Sequence, residues 1–441
     1  MSLEPTIISP AEHPIRLDMI DDEALFVLRK LNNAGFSSYL VGGGVRDLYL
    51  SQTPKDFDIS TDARPGQIRR LFANSRTIGR RFRLVQVFFK NNKVIEVSTL
   101  RSLSEHDLDG PQVVLAPNNT YGSLDEDAQR RDLSINALFY EIEKQNIIDY
   151  VGGVKDLERG VVRILGSPDQ RINRDPVRML RAIRHSARNG FAIEEMSWQA
   201  VCRSGSKLAL CPPSRLRDEL FKDIYSGASA RWYELSVSSG IFLELFKLYE
   251  NIMTAELPGG NLCREQLGSI FQTIDRLNNA AVASGNHRQP DYFLLAFILI
   301  PWASIQFNLT GKPLKGAQLF QLSKKIRESL NLSIGPALNL RRSTRQEIAT
   351  LLTQLPVFIQ CQQQQSWPKW LKRKSYFAKG KLLYSSHREA VEGTLVPDSH
   401  FINKQAAATP AKPGRRKKGS KRRGRPAFSS NRRGGVFGFK R

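Results

Sequence analysis

Two aspartates, Asp56 and Asp58, have the residue type and the spacing of a pair that could hold metal ions. They flank Phe57 at the start of a predicted strand that runs to Thr61. Side chains alternate between the two faces of a strand, so the two carboxylates should point the same way while Phe57 turns into the core. Carboxylate oxygens are suited to Mg²⁺, and paired metal ions support phosphoryl and nucleotidyl transfer.

A glycine run precedes the aspartates. Ser38–Val41 predicts a short buried strand, and a helix start follows shortly after it. Between them lie three consecutive glycines, Gly42, Gly43 and Gly44. A strand that ends in glycines before a helix brings bare backbone N–H groups close to an anion. Arg46, just beyond the glycines, has a guanidinium that can bind a phosphate through two parallel hydrogen bonds.

A third carboxylate is expected near the first two. Leu84–Phe89 predicts a strand that turns back at Asn91 and Asn92 and continues as a second strand, Lys93–Thr99. On that second strand, Glu96 shares one face with Val94 and Ser98. It is therefore a candidate third metal ligand, and a solvent-facing strand residue is the alternative.

Two charged segments follow. The first begins with acidic residues at Asp125 and carries Arg131, Asp132 and Asn136, a pattern that a salt-bridged surface helix would also show. The second predicts a helix that begins with Asp175 as its N-cap and ends at Gly190. Its basic residues lie along one stripe of the helix. Taken alone, this pattern indicates a capped helix whose basic face is solvated.

The charge of the chain is strongly unbalanced, since its 441 residues include 66 Lys and Arg against 42 Asp and Glu, a net charge of +24. Such an excess favours a polyanionic partner. The length and a hydrophobic content of 41% predict about two to four compact units. The cysteines and histidines show no disulfide or metal spacing, which predicts reduced thiols in the cytoplasm. We expect no signal peptide, and the longest apolar run, Tyr292–Ile300, is too short to span a membrane.

The composition changes from Phe401 onwards to small residues, proline and bases. Thirteen positive residues and no acid lie between Ala411 and Arg441, so this tail carries 13 of the 24 net charges. Such a segment cannot form a core and is predicted to be disordered. It is expected to bind RNA phosphates without reading sequence. The residues assigned to this role are Arg415, Arg416, Lys417, Lys418, Lys421, Arg422, Arg423 and Arg425.

The glycine run and the two aspartates, in this order and at this spacing, resemble the signature of the polymerase-β-like nucleotidyltransferases. Arg130–Ala137, which reads Arg-Arg-Asp-x-x-x-Asn-Ala, and Asp175–Arg178, which reads Asp-x-x-Arg, resemble one branch of that superfamily. This branch is the class II family, which contains bacterial poly(A) polymerases and tRNA CCA-adding enzymes. The motifs together cover about residues 39–222.

The resemblance implies a role for each matching residue. Catalysis is assigned to Asp56, Asp58 and Asp132, and the binding of Mg²⁺ to Asp56, Asp58 and Glu96. The binding of ATP is assigned to Gly42, Gly43, Gly44, Arg46, Arg131, Asn136, Asp175, Arg178 and Arg181. Asp175 and Arg178 are implied to read the edge of the incoming base. Arg174 departs from the pattern, because the family usually has Glu there, and this change places a cation beside the base pocket.

Two features favour the poly(A)-adding branch. Ile78–Val87 resembles a run of bacterial poly(A) polymerases, and its Arg80 and Arg81 are assigned to RNA binding. The basic tail resembles the C-terminal extension of those enzymes. The resemblance implies template-independent transfer of AMP from ATP to RNA 3′ ends, with release of pyrophosphate. A tRNA CCA- or A-adding enzyme is the alternative, and a non-catalytic RNA-binding protein of the same fold is a third hypothesis.

The implied partners are the 3′ ends of mRNA, regulatory RNA and tRNA, together with RNA-decay proteins in the cytoplasm. The predicted fold class is α+β: a nucleotidyltransferase head with a small mixed β-sheet, all-α neck and body domains, and the disordered tail. The predicted bounds are a loose leader at 1–20, the head at 21–162, the neck at 163–230, the body at 231–400 and the tail at 401–441.

Overall fold

A computed structural model of the protein describes residues 4–79, 83–102, 120–254, 258–285, 287–309, 311 and 313–397. All of these residues fall in one compact unit. The predicted basic tail, and Arg80 and Arg81, lie outside the described residues. The predicted division into head, neck and body therefore stays a prediction.

Among the described residues, eight strands form one mixed sheet in the order β1-β8-β7-β2-β3-β6-β5-β4. Their bounds are β1 Thr6–Ile8, β2 Ser38–Val41, β3 Asp58–Thr61, β4 Ser75–Ile78, β5 Leu84–Phe88, β6 Val94–Thr99, β7 Leu138–Tyr140 and β8 Ile147–Asp149. β3 and β6 run parallel, and the other neighbours run antiparallel. The small mixed sheet that the sequence predicts is confirmed.

Five helices accompany the sheet: α1 Asp22–Asn33, α2 Gly43–Tyr49, α3 Pro65–Leu71, α4 Leu124–Gln129 and α5 Gly153–Glu158. The apolar stripe of α1 is buried, and the Asp21 carboxylate caps the helix by accepting a hydrogen bond from Glu23 N at 3.1 Å. Leu40 on β2 belongs to the main core, whereas its neighbour Val41 belongs to a smaller cluster. The sheet therefore buries side chains on both faces, as the two-residue period of a strand requires.

Helices make up most of the remaining chain. A two-stranded parallel ladder joins β9 Val161–Val162 to β10 Ala192–Ile193. Around it lie α6 Pro168–Arg174, α7 Val177–Asn189, α8 Glu195–Ser204 and α9 Pro213–Ile224. Further helices follow: α10 Ser229–Ser238, α11 Ile241–Leu245, α12 Glu250–Met253, α13 Pro258–Ala283, α14 Asp291–Ile298, α15 Ile300–Phe307, α16 Gly316–Leu332, α17 Ile334–Ala337, α18 Arg342–Gln363, α19 Lys369–Lys372 and α20 Phe377–Glu392. The strand-poor, helical second part confirms the predicted fold class.

Two local predictions are wrong. The segment predicted as a loose leader contains β1, whose Ile7 pairs with Ile148 of β8, and Ile15 and Ile20 behind it are buried. The short apolar run Thr6–Ile8 gains its backbone partners only from a strand about 140 residues later, a pairing that no local pattern reveals. The helix predicted to begin with Asp175 as its N-cap is preceded by Pro176 and runs from Val177.

Membrane-spanning helices were not expected. Among the helices that the structure describes, none has the length and apolarity to cross a bilayer.

Candidate active site

The glycine run connects β2 to α2 and lies against the loop that carries Asp56. Gly42 has a positive φ of 69°, which an L side chain rarely adopts, and a Cβ there would lie 3.5 Å from Arg131 Nη1. A Cβ on Gly44 would lie 3.6 Å from the backbone oxygen of Asp56. The glycines therefore let the turn approach both the arginine and the aspartate loop.

Asp58 and Glu96 occupy paired positions on the parallel strands β3 and β6. Gln86 on β5 donates a hydrogen bond from Nε2 to Glu96 Oε1 at 2.9 Å, which orients that carboxylate. Burial and the nearby charge of Glu96, together with that of Asp56, raise the pKa of Asp58 to about 6 in spite of the opposing effect of Arg131. Neighbouring carboxylates that repel one another in this way are typical of a site that binds a cation.

Asp56 does not share the strand with Asp58. β3 begins at Asp58, so Asp56 lies in the preceding loop and the predicted alternation of side chains does not apply to it. Among the residues described here, no group of three or more His, Cys, Asp or Glu side chains converges to form a complete metal site. Mg²⁺ in phosphoryl-transfer sites usually takes one or two protein carboxylates and completes its shell with phosphate and water oxygens. The carboxylates at the ends of these strands fit that partial ligand set.

A cavity of about 430 Å³, the central cavity, opens in front of Asp58. Ten of the predicted site residues line it: Gly42, Gly43, Asp58, Glu96, Arg131, Asp132, Asn136, Asp175, Arg178 and Arg181. The sequence missed several further wall residues, including Arg101, Arg130 and Arg215. Six arginines in all line the cavity against four carboxylates, so it is suited to a polyanion.

Asp127 fixes two of the arginines. Its fully buried carboxylate accepts hydrogen bonds from Arg130, and from Arg131 at 2.8 Å. Arg131 also reaches Ser60 Oγ at 3.2 Å and lies with its guanidinium carbon 4.9 Å from the centre of the Phe139 ring. Burial alone would raise the pKa of Asp127, but the two arginines hold it below its usual value. Arg131 is thus held rigidly at the cavity wall.

Asp132 faces arginines and not the other carboxylates. Its Oδ1 lies 3.2 Å from Arg178 Nη1, and its Oδ2 accepts a hydrogen bond from Arg181. Burial opposes ionisation, yet Arg178 and Arg181 hold the pKa of Asp132 well below its usual range. The catalytic role of Asp132 stays a prediction, and in the structure its carboxylate is paired with two residues of α7.

Asp175 is not the N-cap of a helix. It lies between α6 and α7, and its Oδ2 accepts a hydrogen bond from Arg215 of α9 at 2.7 Å. The predicted partner, Arg178, donates its backbone N–H to Asp175 O at 3.0 Å, but its guanidinium reaches Asp132. The Asp-x-x-Arg spacing thus brings both residues to the central cavity without pairing their side chains.

Arg46 was predicted to clamp a phosphate, and the structure places it differently. Only 3% of Arg46 is exposed. Its guanidinium is bonded to Asp47 at 2.6 Å, to Asn136 Oδ1 and to His185 Nδ1 at 3.1 Å. Burial and Arg46 itself keep the pKa of His185 well below its usual value, so the imidazole is neutral. The hydrogen bonds of Arg46 are made within the protein. The one to His185 joins α2 to α7.

A second cavity of about 590 Å³, the lateral cavity, meets the central one at Gly43 and Asp58, which line both. Asp56, Gly44 and Arg46 also lie at its wall. Its far end combines cations with two aromatic rings: Arg184, Arg188, Lys222 and Arg288, with Phe221 and Tyr225. The Tyr225 hydroxyl is held 2.7 Å from Gln289 O and 2.8 Å from Asp291 Oδ1. No local pattern in the sequence predicts this cavity, because its residues come from distant segments.

Two family models match the chain. Residues 38–163 match the poly A polymerase head domain, and residues 190–253 match the probable RNA and SrmB-binding site of polymerase A. The mixed sheet, its glycine turn and its carboxylates thus define a nucleotidyltransferase head. The chain therefore carries a poly A polymerase head domain, and its relatives include both poly(A) polymerases and CCA-adding enzymes.

Curated relatives of both kinds are similar to the chain. Poly(A) polymerase I of Escherichia coli O6:H1 is 43% identical over 248 residues, which are 55% of this chain and 53% of that protein. The CCA-adding enzyme of Bacillus subtilis is 36% identical over 251 residues, 56% of this chain and 62% of that protein. The chain therefore spans about half the length of the poly(A) polymerase it matches.

Solved structures show the same fold. The CCA-adding enzyme of Bacillus stearothermophilus in complex with CTP superposes with a TM-score of 0.62 at 22% identity, covering 88% of this chain and 81% of that one. The Thermotoga maritima CCA-adding enzyme complexed with tRNA superposes with a TM-score of 0.57 at 20% identity, covering 89% and 86%. At these sequence identities, the similarity shows a shared fold alone.

Proposed function

We propose that this protein is a template-independent RNA nucleotidyltransferase that transfers AMP from ATP to RNA 3′ ends. The observation that carries the proposal is the meeting of the two cavities at Asp58. A nucleoside triphosphate in the central cavity and an RNA end in the lateral cavity would face each other across this carboxylate. The RNA 3′ oxygen would lose its proton and bond to the α-phosphorus, and the bond to pyrophosphate would break.

Asp58, with Asp56 and Glu96 beside it, would hold Mg²⁺. A bound metal supplies Lewis acidity and neutralises the charge that develops on the transferred phosphoryl group. Arg131, fixed by Asp127, would orient the triphosphate. The rigid hold on Arg131 matters because a charge that is already positioned costs no reorganisation during the reaction.

The lateral cavity would receive the RNA end. Its exposed cations Arg188 and Lys222 would follow the phosphate backbone, while Tyr225 would offer an apolar face to a base. Aromatic stacking and backbone charge bind single strands without reading sequence. The basic tail, together with Arg80 and Arg81, would extend this grip on RNA.

Poly(A) addition is preferred over CCA addition on two grounds. The similarity to Poly(A) polymerase I, 43% identity, exceeds the 36% identity to the Bacillus subtilis CCA-adding enzyme. The basic tail also suits a substrate set of many unrelated 3′ ends. By analogy with bacterial poly(A) polymerases, we propose that the protein acts in the cytoplasm and promotes RNA decay together with RNA-decay proteins.

The second candidate is a tRNA CCA- or A-adding enzyme, which the two matching structures favour through their shared fold. Purified protein with Mg²⁺ and one nucleotide at a time separates the two. Long ladders with ATP alone, on both an unstructured RNA and a tRNA that lacks its 3′ end, are expected. Addition that stops after one to three nucleotides on tRNA alone would establish the second candidate. Binding of RNA without any addition would leave a non-catalytic RNA-binding protein.

A further inference from the structure

A short segment of the helical part of the chain exposes a tryptophan among cations. Trp370 lies in α19 and is 53% exposed, whereas its neighbour Leu371 is fully buried and anchors the segment. The exposed, positively charged residues around Trp370 complete a surface that we call the tryptophan patch: Lys369, Lys372, Arg373 and Lys374. The patch therefore presents a large aromatic ring and four positive charges to the solvent.

The described structure leaves the cations of the patch without acidic partners. None of them forms an ion pair with a residue that the structure describes. The sequence contains no acidic residue between Glu347 and Glu389, a stretch that holds seven Lys and Arg. Elsewhere on the helical part, exposed cations pair with a nearby acid, as Arg231 does with Glu234 at 2.7 Å. The uncompensated charge of the patch therefore favours an anionic partner.

Core packing does not account for Trp370. The nearby Trp367 shows the contrast, because its ring centre lies 5.7 Å from the ring centres of both Phe358 and Phe377. Trp370 makes no ring contact with the residues that the structure describes. An exposed indole offers a face on which a base can stack, and cations beside it can bind the flanking phosphates. This combination is typical of a surface that binds single-stranded nucleic acid.

The patch is connected to one wall of the lateral cavity. Phe377 N donates to Lys374 O at 3.0 Å, so the patch leads directly into α20. In the first turn of that helix, Lys379 donates to Gln289 Oε1 at 2.6 Å. The backbone oxygen of Gln289 accepts a hydrogen bond at 2.7 Å from Tyr225, which lines the cavity. A strand whose 3′ end lies in the cavity can therefore extend to the patch.

We propose that the tryptophan patch is a second contact for the RNA substrate, which binds the single strand on the 5′ side of the end held in the lateral cavity. This inference rests on the proposed function. A base would stack on Trp370, and the neighbouring cations would bind the phosphates on either side of it. Neither contact reads base identity, which suits a substrate set of many unrelated 3′ ends. An RNA too short to extend from the cavity to α19 would gain nothing from the patch.

The first experiment separates the patch from the cavity by RNA length. Binding of unstructured RNAs of about 4 and about 20 nucleotides to the full chain is measured by fluorescence anisotropy without ATP. Trp370→Ala should weaken binding of the long RNA about tenfold and leave binding of the short RNA unchanged. Trp370→Phe, which keeps a stacking face, should retain most of the affinity. Phe320→Ala is the matched control, because Phe320 on α16 is another ring of the helical part and is 61% exposed.

The second experiment tests the cations through the salt dependence of binding. Each phosphate contact on a single strand contributes about 0.7 to the slope of the logarithm of the binding constant against that of the salt concentration. A variant that combines Lys372→Gln and Arg373→Gln should therefore lower this slope by about 1.4 for the long RNA. The control combines Arg231→Gln and Lys324→Gln, which removes the same charge from cations that already pair with a nearby glutamate. The control should keep the slope.

The proposal is overturned if folded Trp370→Ala and the double glutamine variant of the patch bind the long RNA as the wild type does. It is also overturned if they weaken binding of both RNAs equally. Thermal unfolding monitors the fold, and the glutamine variant, which replaces exposed cations only, decides the matter if the alanine variant unfolds. Loss of binding to vesicles of phosphatidylcholine and phosphatidylglycerol, with RNA binding intact, would replace RNA by an anionic membrane surface.

Nucleotide addition is measured separately, with ATP and Mg²⁺. Wild-type protein that binds the long RNA through Trp370 but adds no AMP would overturn the proposed function and support the patch as an RNA contact. Wild-type protein that adds AMP to both RNAs, with Trp370→Ala extending the long RNA equally well at subsaturating RNA, would overturn the patch alone.

Discussion

The Asp132 carboxylate is held between Arg178 and Arg181, two residues one turn apart on α7. Asp132 lies between α4 and β7 in the sheet-bearing part of the chain, whereas the arginines belong to the helical part. A carboxylate with two guanidinium partners is ionised, and each of its oxygens already faces one arginine. These two contacts thus hold Arg178 and Arg181, which line the central cavity, to the part of the chain that forms the sheet.

Asp132→Asn should lower the free energy of unfolding by about 3 kcal/mol, because it leaves two poorly exposed arginines without their shared counter-charge. We expect the KM for ATP to rise more than kcat falls, since Arg178 and Arg181 lose their fixed position at the central cavity. Asp169→Asn is the control, because Asp169 pairs with Arg203 at a site where both side chains are more than half exposed, and should cost less than about 1 kcal/mol. A variant with normal stability and KM but abolished turnover would support the predicted catalytic role of Asp132.

Asp58→Asn should reduce nucleotide addition by about 10²–10³-fold, because the junction of the two cavities would lose the carboxylate nearest to both. Glu96→Gln should have a smaller effect, since Gln86 already engages one oxygen of Glu96. The assay is incorporation of labelled AMP as a function of Mg²⁺ concentration. Asp62→Asn, just past the opposite end of the same strand, is the matched control. Equal activity of Asp58→Asn and Asp62→Asn would contradict the assignment.

Gly42→Ala should destabilise the protein by about 1–2 kcal/mol, because an L residue at φ 69° is strained. Its new methyl group would make only an ordinary contact, 3.5 Å from Arg131 Nη1, so the affinity for ATP should fall only as far as the strained turn shifts. Gly44→Ala provides the contrast, since Gly44 lies inside α2 without a positive φ and its Cβ would make ordinary contacts. Chemical denaturation and nucleotide binding measure both effects. A neutral Gly42→Ala variant would refute the argument from strain.

Glu219→Gln tests the ion-pair network between α7 and α9. Burial opposes ionisation, but Arg181 and Arg184 lower the pKa of Glu219 to about 2, so the folded state holds its proton less tightly than the unfolded chain. This stabilisation is present above the unfolded pKa of about 4.5 and is lost as the pH falls toward 2. The variant should therefore be less stable than the wild type by about 3 kcal/mol at pH 7 and by much less at pH 3. A difference that does not depend on pH would show that the charge of Glu219 is not responsible.

The sequence predicted those parts of the site that local periodicity controls. Glu96 was placed by counting alternate residues along β6, and its strand lies next to β3 with Glu96 opposite Asp58. The glycine turn was recognised because only glycine tolerates a φ such as that of Gly42. In each case the relevant physics acts over a few neighbouring residues.

Side-chain partners could not be predicted in the same way. Asp175 and Arg215 are 40 residues apart, and their hydrogen bond depends on how α9 packs beside α7. Arg46 follows a phosphate-binding pattern, but tertiary packing brought Asn136 and His185 to its guanidinium and buried it. A residue type and a spacing state what a side chain can bind, whereas the packing of distant elements decides what it does bind.

The backbone that joins the sheet to the helices has a consequence for recombination between relatives. Leu165 N donates to Asp132 O at 3.2 Å, Ser134 N donates to Arg163 O at 3.0 Å, and β9 pairs with β10 thirty residues later. A chimaera of two relatives joined at residue 162 would take the two sides of these hydrogen bonds from different proteins. The contacts with the arginines of α7 would be divided in the same way. A crossover placed after Ile224 keeps them together. The smallest segment that can be exchanged as a module is thus longer than the sheet and its own helices.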